Sequence, residues 1–112
     1  MAVTLDAGDR APAFSLRDQD GRVHRLSDYR GQTVVLYFYL NDDTPGCTAE
    51  ACSFRDHIDA IAEEGAAVLG VSTNTAEEYR KFRSKYGLPF PLLVDERAEV
   101  ATAYGAWGEK ML

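Results

Sequence analysis

The sequence predicts an α/β domain in which parallel strands are joined by crossover helices. Residues 33–40 form a continuous apolar run rich in β-branched and aromatic side chains, the pattern of a central strand covered on both faces. Residues 66–72 repeat that pattern. Between them, Ala51, Phe54, Ile58 and Ile61 recur at intervals of three and four, which makes an apolar helical stripe. Strand, helix and strand in that order form a β-α-β unit with a right-handed crossover.

The remaining elements follow in chain order. Phe14-Ser15-Leu16 and Val23-His24-Arg25-Leu26 alternate apolar and polar residues, and Asp18-Gln19-Asp20-Gly21 supplies the turn between them, so residues 1–32 read as an entering segment and a hairpin. His24 reads as an exposed strand histidine. Asp28-Tyr29-Arg30-Gly31 connects the hairpin to the first apolar strand. A helix is predicted over 45–64, ended by Gly65. A second helix covers 76–86, with Thr75 and Glu78 as a capping box, Gly87 as its stop and Tyr79, Phe82 and Tyr86 as its packing face. Pro89 and Pro91 extend the chain into a short strand over 91–94, and a last helix is expected over 96–104.

A chain of 112 residues suits one domain, here taken as 1–112, and a net charge of −6 argues against the basic patch that binds nucleic acid. No stretch is long and apolar enough for a membrane span, and residues 1–6 lack the basic flank and apolar core of a secretory signal, so a cytoplasmic protein is expected. No glycine-rich phosphate loop is present, so no nucleotide cofactor is implied. Cys47, Cys52 and His57 are spaced by five and five, which matches no usual zinc pattern, and no metal is expected. Two cysteines in such a chain read as redox-active rather than as a structural staple.

The chemistry gathers in residues 42–52, between the first apolar strand and the helix. Thr44 is a good N-cap, Pro45 suits the first helical position, and Gly46 allows close approach to the backbone. Cys47 then lies in the first turn, where unpaired N–H groups and the helix dipole favour an anion and so make thiolate available. Asp42, Asp43 and Glu50 lie nearby and oppose thiolate formation by repulsion. Cys52 follows by five residues, which is not the C-x-x-C spacing of a disulfide reductase. In an intact helix the two Cα atoms stand about 8.5 Å apart, beyond the range of about 4.4–6.8 Å for a disulfide. A cycle using both thiols therefore requires the first turns to unwind. Otherwise Cys52 is a core residue of the helix.

Tyr37-Phe38-Tyr39, Asp42-Asp43-Thr44-Pro45-Gly46-Cys47-Thr48 and Glu50-Ala51-Cys52-Ser53-Phe54-Arg55-Asp56 resemble the active-site block of the peroxiredoxins, specifically the peroxiredoxin Q or bacterioferritin comigratory protein branch. The resemblance extends upstream to Gly8-Asp9, Ala11-Pro12 and Leu26-Ser27-Asp28-Tyr29-Arg30-Gly31. Downstream it takes in Gly70-Val71-Ser72, Leu88-Pro89-Phe90-Pro91-Leu92-Leu93 and Trp107-Gly108-Glu109-Lys110. It implies a thioredoxin-like α/β fold with an N-terminal β-hairpin extension, C-terminally incomplete. It also implies a thiol-dependent peroxidase for hydrogen peroxide and organic hydroperoxides, acting in antioxidant defence. Cys47 would be the peroxidatic thiol, Cys52 the resolving thiol and Thr44 a hydrogen-bonding support. Thioredoxin or a glutaredoxin-like donor would reduce the resulting disulfide, with no cofactor.

Two departures from the family pattern stand out. Leu40 occupies the place of a proline that normally shields the thiolate. The family also continues past this C-terminus with an active-site arginine, two strands and a closing helix, so the chain reads as a piece of a longer protein. Arg55 and Arg97 are the candidates to replace that arginine. By resemblance the chain is a monomer, or an oligomer if another copy covers the open sheet edge. A non-catalytic thioredoxin-like binding or chaperone-like module is the alternative, and a protein disulfide oxidoreductase, disfavoured by the cysteine spacing, is a third.

Overall fold

The computed structural model describes residues 6–39 and 45–106. Its strands are β1 (Ser15–Asp18), β2 (Val23–Arg25), β3 (Thr33–Phe38), β4 (Ala66–Ser72) and β5 (Leu92–Val94). Its helices are α1 (Pro45–Asp56), α2 (Ile58–Glu63), α3 (Ala76–Tyr86) and α4 (Glu99–Ala103), with a 3-10 turn at Leu26–Tyr29. The strands form one sheet in the order β2-β1-β5-β4-β3. β3, β4 and β5 run parallel, and β1 pairs antiparallel with both β2 and β5, so the hairpin extends the parallel core on one side.

Alternation along the strands builds two cores. Val35, Tyr37 and Tyr39 on β3 and just past it, Val68 on β4, and Leu92 and Val94 on β5 face α1, α2 and α3, with Ala51, Phe54, Ile58, Tyr79, Phe82 and Phe90. Val34, Leu36, Phe38, Leu69, Val71 and Leu93 face the other way, toward Phe14, Leu26, Tyr29, Val100 and Tyr104. Gly70 leaves room for the first of these cores, since a Cβ there would lie 2.9 Å from Leu92 Cδ2 and 3.0 Å from Tyr37 Cζ.

Several expectations need correction. The run over 33–40 is expected as a central strand, but its described part does not supply one among the described strands. β3 is the edge of the sheet among the described strands, and its residues are mostly half-buried, while β4 is the buried interior strand. A uniformly apolar run cannot by itself distinguish the two positions, because side-chain burial on both faces does not require pairing on both edges. The helix expected over 45–64 is two helices that break at His57, whose φ of −110° and ψ of 10° leave the helical region. Its N–H is shared between the Ser53 and Phe54 carbonyls at 3.2 Å each, and its Nδ1 lies 2.8 Å from Ser53 O. The last helix starts at Glu99 rather than 96, because Ala98 adopts φ 54° and Asp95 spans the turn, accepting from the N–H groups of Val100 and Ala101.

His24 is not an exposed strand histidine. Its side chain is 13 % exposed, with Nε2 2.7 Å from Asp18 Oδ2 and Nδ1 2.7 Å from the Tyr29 hydroxyl. The Asp18 carboxylate can only accept, so Nε2 carries a proton and donates to it, and in the neutral ring Nδ1 accepts from Tyr29. Asp18 Oδ1 also accepts from the N–H groups of Asp20 and Arg22 and so closes the hairpin turn. Burial acts to raise the Asp18 pKa, but the His24 and backbone hydrogen bonds outweigh it and hold the carboxyl below 3.8.

The capping box at Thr75 and Glu78 is present as expected, with Thr75 Oγ1 accepting from Glu78 N–H and Glu78 Oε1 accepting from Thr75 N–H. Gly87 closes α3 at φ 61°, ψ 42°, the left-handed conformation that glycine adopts without strain.

Candidate active site

The site begins where β3 leaves the sheet at its carboxyl end and the chain enters α1. Pro45, Gly46 and Cys47 are the first three residues of that helix. The first turn of an α-helix presents N–H groups that the helix's own carbonyls do not pair, and proline at its first position carries no such group. The first turn holds no acidic side chain and so leaves the helix dipole free to favour an anion at Cys47, while Glu50, three residues on, opposes it from the exposed face of α1. Cys47 is half-buried and packs against the cluster of Tyr37, Tyr39, Ala51 and their neighbours. The wall beneath it is aromatic, with the Tyr37 and Tyr39 rings 5.5 Å apart and the Tyr37 and Phe54 rings 4.7 Å apart.

Cys52 lies five residues further along the same uninterrupted helix, half-buried and not bonded to Cys47. An ideal helix separates two such Cα atoms by about 8.5 Å, so the thiols meet only after α1 unwinds. Glu50 is exposed on α1. Leu40, Asp42, Asp43 and Thr44 lie outside the described residues, as does 107–112. Among the described residues, the Thr48 hydroxyl beside Cys47 is buried without a hydrogen-bond partner.

Neither candidate arginine replaces the family's. Arg55 Nη1 donates to the Tyr86 carbonyl at 2.7 Å and Nε to Asp56 Oδ1 at 2.9 Å, so its guanidinium is committed to the end of α3. The Asp56 hydrogen bond raises the Arg55 pKa further. Arg97 is exposed in the turn before α4, and α4 packs on the opposite face of the sheet from Cys47.

A family model described as the AhpC/TSA family matches residues 7–112. A putative peroxiredoxin of Mycobacterium tuberculosis is 49 % identical over 108 residues, covering 96 % of this chain and 69 % of that protein. The chain belongs to the AhpC/TSA family. Peroxiredoxin Bcp of Escherichia coli is likewise 49 % identical, over 106 residues, covering 95 % of this chain and 68 % of that protein. In three dimensions this chain superposes on the crystal structure of peroxidoxin BcpB from Mycobacterium tuberculosis with a TM-score of 0.84 at 41 % identity, covering 88 % of this chain and 64 % of that one. These matches place it in the Bcp and peroxiredoxin Q branch with a thioredoxin-like peroxiredoxin fold. The chain spans about two thirds of the length of these curated relatives and 64 % of that solved chain.

Sequence reasoning singled out both thiols but missed two contacts made by the elements around them. One is the Arg55 hydrogen bond to Tyr86, a contact across 31 residues that no local pattern announces. The other is the Tyr79 hydroxyl, which accepts from Ser72 N–H at 2.8 Å and reaches Leu93 O at 2.6 Å beneath the carboxyl ends of β4 and β5. A tyrosine on the buried face of α3 was the available signal, because a buried phenol calls for a partner.

Proposed function

We propose that this chain, as one domain over 1–112, reduces hydrogen peroxide and organic hydroperoxides through Cys47. The observation that carries this reading is a half-buried cysteine in the first turn of α1 with a second thiol five residues along the same helix. The Cys47 thiolate attacks one peroxide oxygen, the O–O bond breaks, and the other oxygen leaves with a proton as water or an alcohol. Cys47 is then a sulfenic acid. The N–H groups of Gly46 and Cys47 stabilise negative charge as that bond breaks, and Thr44 donates a hydrogen bond that orients the peroxide oxygens or the thiolate. The first turns of α1 unwind, the Cys52 thiol attacks the sulfenic sulfur, and water leaves as the disulfide forms. A dithiol protein such as thioredoxin or a glutaredoxin-like donor restores both thiols and becomes a disulfide itself. The family membership supports a thiol peroxidase of this kind.

The test is sulfenic acid trapping. Cys52→Ser treated with equimolar hydrogen peroxide and a sulfenic-acid-selective nucleophile should yield one adduct, on Cys47. Coupled assays with thioredoxin and with glutaredoxin would then identify the donor. An unmodified Cys47 would reject the peroxidase reading.

A further inference from the structure

The Arg55 contact has a consequence for the second half of the cycle. Freeing Cys52 from the helix breaks the bonds made by the carbonyls around it, and each α-helical carbonyl serves the N–H four residues on. Disruption at Cys52 therefore reaches Asp56, the last residue of α1. The break at His57 stops it there and lets α2 keep its seat on the sheet. Arg55 lies inside the segment that must unwind, three residues after Cys52. Its Nη1 is bonded across to Tyr86 O, one of the last carbonyls of α3, which have no acceptor role within their own helix. Asp56 Oδ1 receives Nε and so orients the guanidinium toward that carbonyl.

Resting on the two-thiol reading above, we infer that Arg55 is a positioning residue that latches α1 to α3 and so sets how readily Cys52 reaches the Cys47 sulfenic acid. The latch holds the helix folded while Cys47 reacts with peroxide and must open before the disulfide can close. Its strength therefore trades the rate of resolution against the time Cys47 spends as a sulfenic acid open to a second peroxide. Phe54 provides the apolar half of the same anchor, its ring 4.7 Å from Tyr37 and 6.5 Å from Phe90.

The test separates the two chemical steps by rapid quenching and intact mass in the wild type, Arg55→Met, Arg55→Lys and Asp56→Ala. Met keeps the apolar stem and removes the hydrogen bond, Lys keeps the charge and one donor, and Asp56→Ala leaves the guanidinium unoriented. In Arg55→Met the disulfide step should quicken about fivefold, the first step should hold, and sulfinic acid at high peroxide should fall. Arg55→Lys should fall between Met and the wild type, and Asp56→Ala should shift in the same direction as Met by less. Amides 51–56 should exchange faster in Arg55→Met, with those of β4 unchanged, a pattern that general destabilisation would not give. A disulfide step that is unchanged or slower in Arg55→Met overturns the latch. Absence of the first step in the wild type would instead reject the peroxidase reading, so the two failures are distinct.

Discussion

Tyr79→Phe tests how the carboxyl ends of the interior strands are held. The Tyr79 side chain is fully buried, and its hydroxyl lies 2.8 Å from Ser72 N, 2.8 Å from Ser72 Oγ and 2.6 Å from Leu93 O. Phenylalanine keeps the ring and its packing against Tyr39, 6.4 Å between centroids, so the change isolates one oxygen. That oxygen accepts the Ser72 N–H, and Ser72 is itself 5 % exposed, so the substitution removes a side-chain acceptor from a buried backbone donor that then relies on the β4–β5 ladder alone. The cost of deleting a buried hydroxyl that bonds both Ser72 and Leu93 is about 2 kcal/mol. A domain of this size loses roughly 5 °C in Tm per kcal/mol, so Tm should fall by roughly 10 °C. Thermal unfolding followed by circular dichroism, with urea unfolding to confirm an unchanged m-value, measures this directly. Ser72→Ala, which keeps the backbone pair, should cost less than Tyr79→Phe. A Tm for Tyr79→Phe within about 2 °C of the wild type would refute the reasoning, because it would mean that Ser72 N–H does not depend on this hydroxyl.

Other substitutions follow from the same geometry. Gly70→Ala places a Cβ 2.9 Å from Leu92 Cδ2 in a side chain with no exposure, and should cost about 1–3 kcal/mol in urea unfolding. A cost below about 0.5 kcal/mol would show that the core around Leu92 and Tyr37 yields there. Asp18 has a folded pKa below its unfolded value of 3.8, so its stabilisation is present above that value and is lost as pH falls through the lower folded value. The Tm gap between the wild type and Asp18→Asn should therefore be constant from pH 6 down to about pH 4 and narrow below it. A gap independent of pH to the acid limit would show that the carboxylate charge contributes nothing to the hairpin.

The elements that were legible in the sequence are those specified by local chemistry. The capping box at Thr75 and Glu78, the stop at Gly87 and the turn at Asp18–Gly21 each depend on residues within four positions of one another, and each is where the pattern puts it. The position of β3 at the sheet edge was not legible, because strand order depends on pairings between β4 and β5 that are distant in sequence. Nor was the break at His57, since the apolar stripe of Phe54, Ile58 and Ile61 runs through it without a phase change and those three residues still reach the same core. At the site, Cys47 was legible because Pro45 and Gly46 announce a helix start. The role of Arg55 was not, because its partner is a main-chain carbonyl on another helix, and a carbonyl has no sequence signature. The His24 contacts were hidden for a related reason: period-two alternation shows which face a side chain takes, but not that Tyr29 folds back over it.

The central claim is that Cys47 and Cys52 form one redox pair through unwinding of α1. Intact mass and thiol count after one equivalent of hydrogen peroxide test it most directly, beside Cys47→Ser. The account predicts rapid loss of two hydrogens and of both thiols in the wild type, with neither lost in Cys47→Ser. Survival of both thiols for minutes under equimolar peroxide would contradict it.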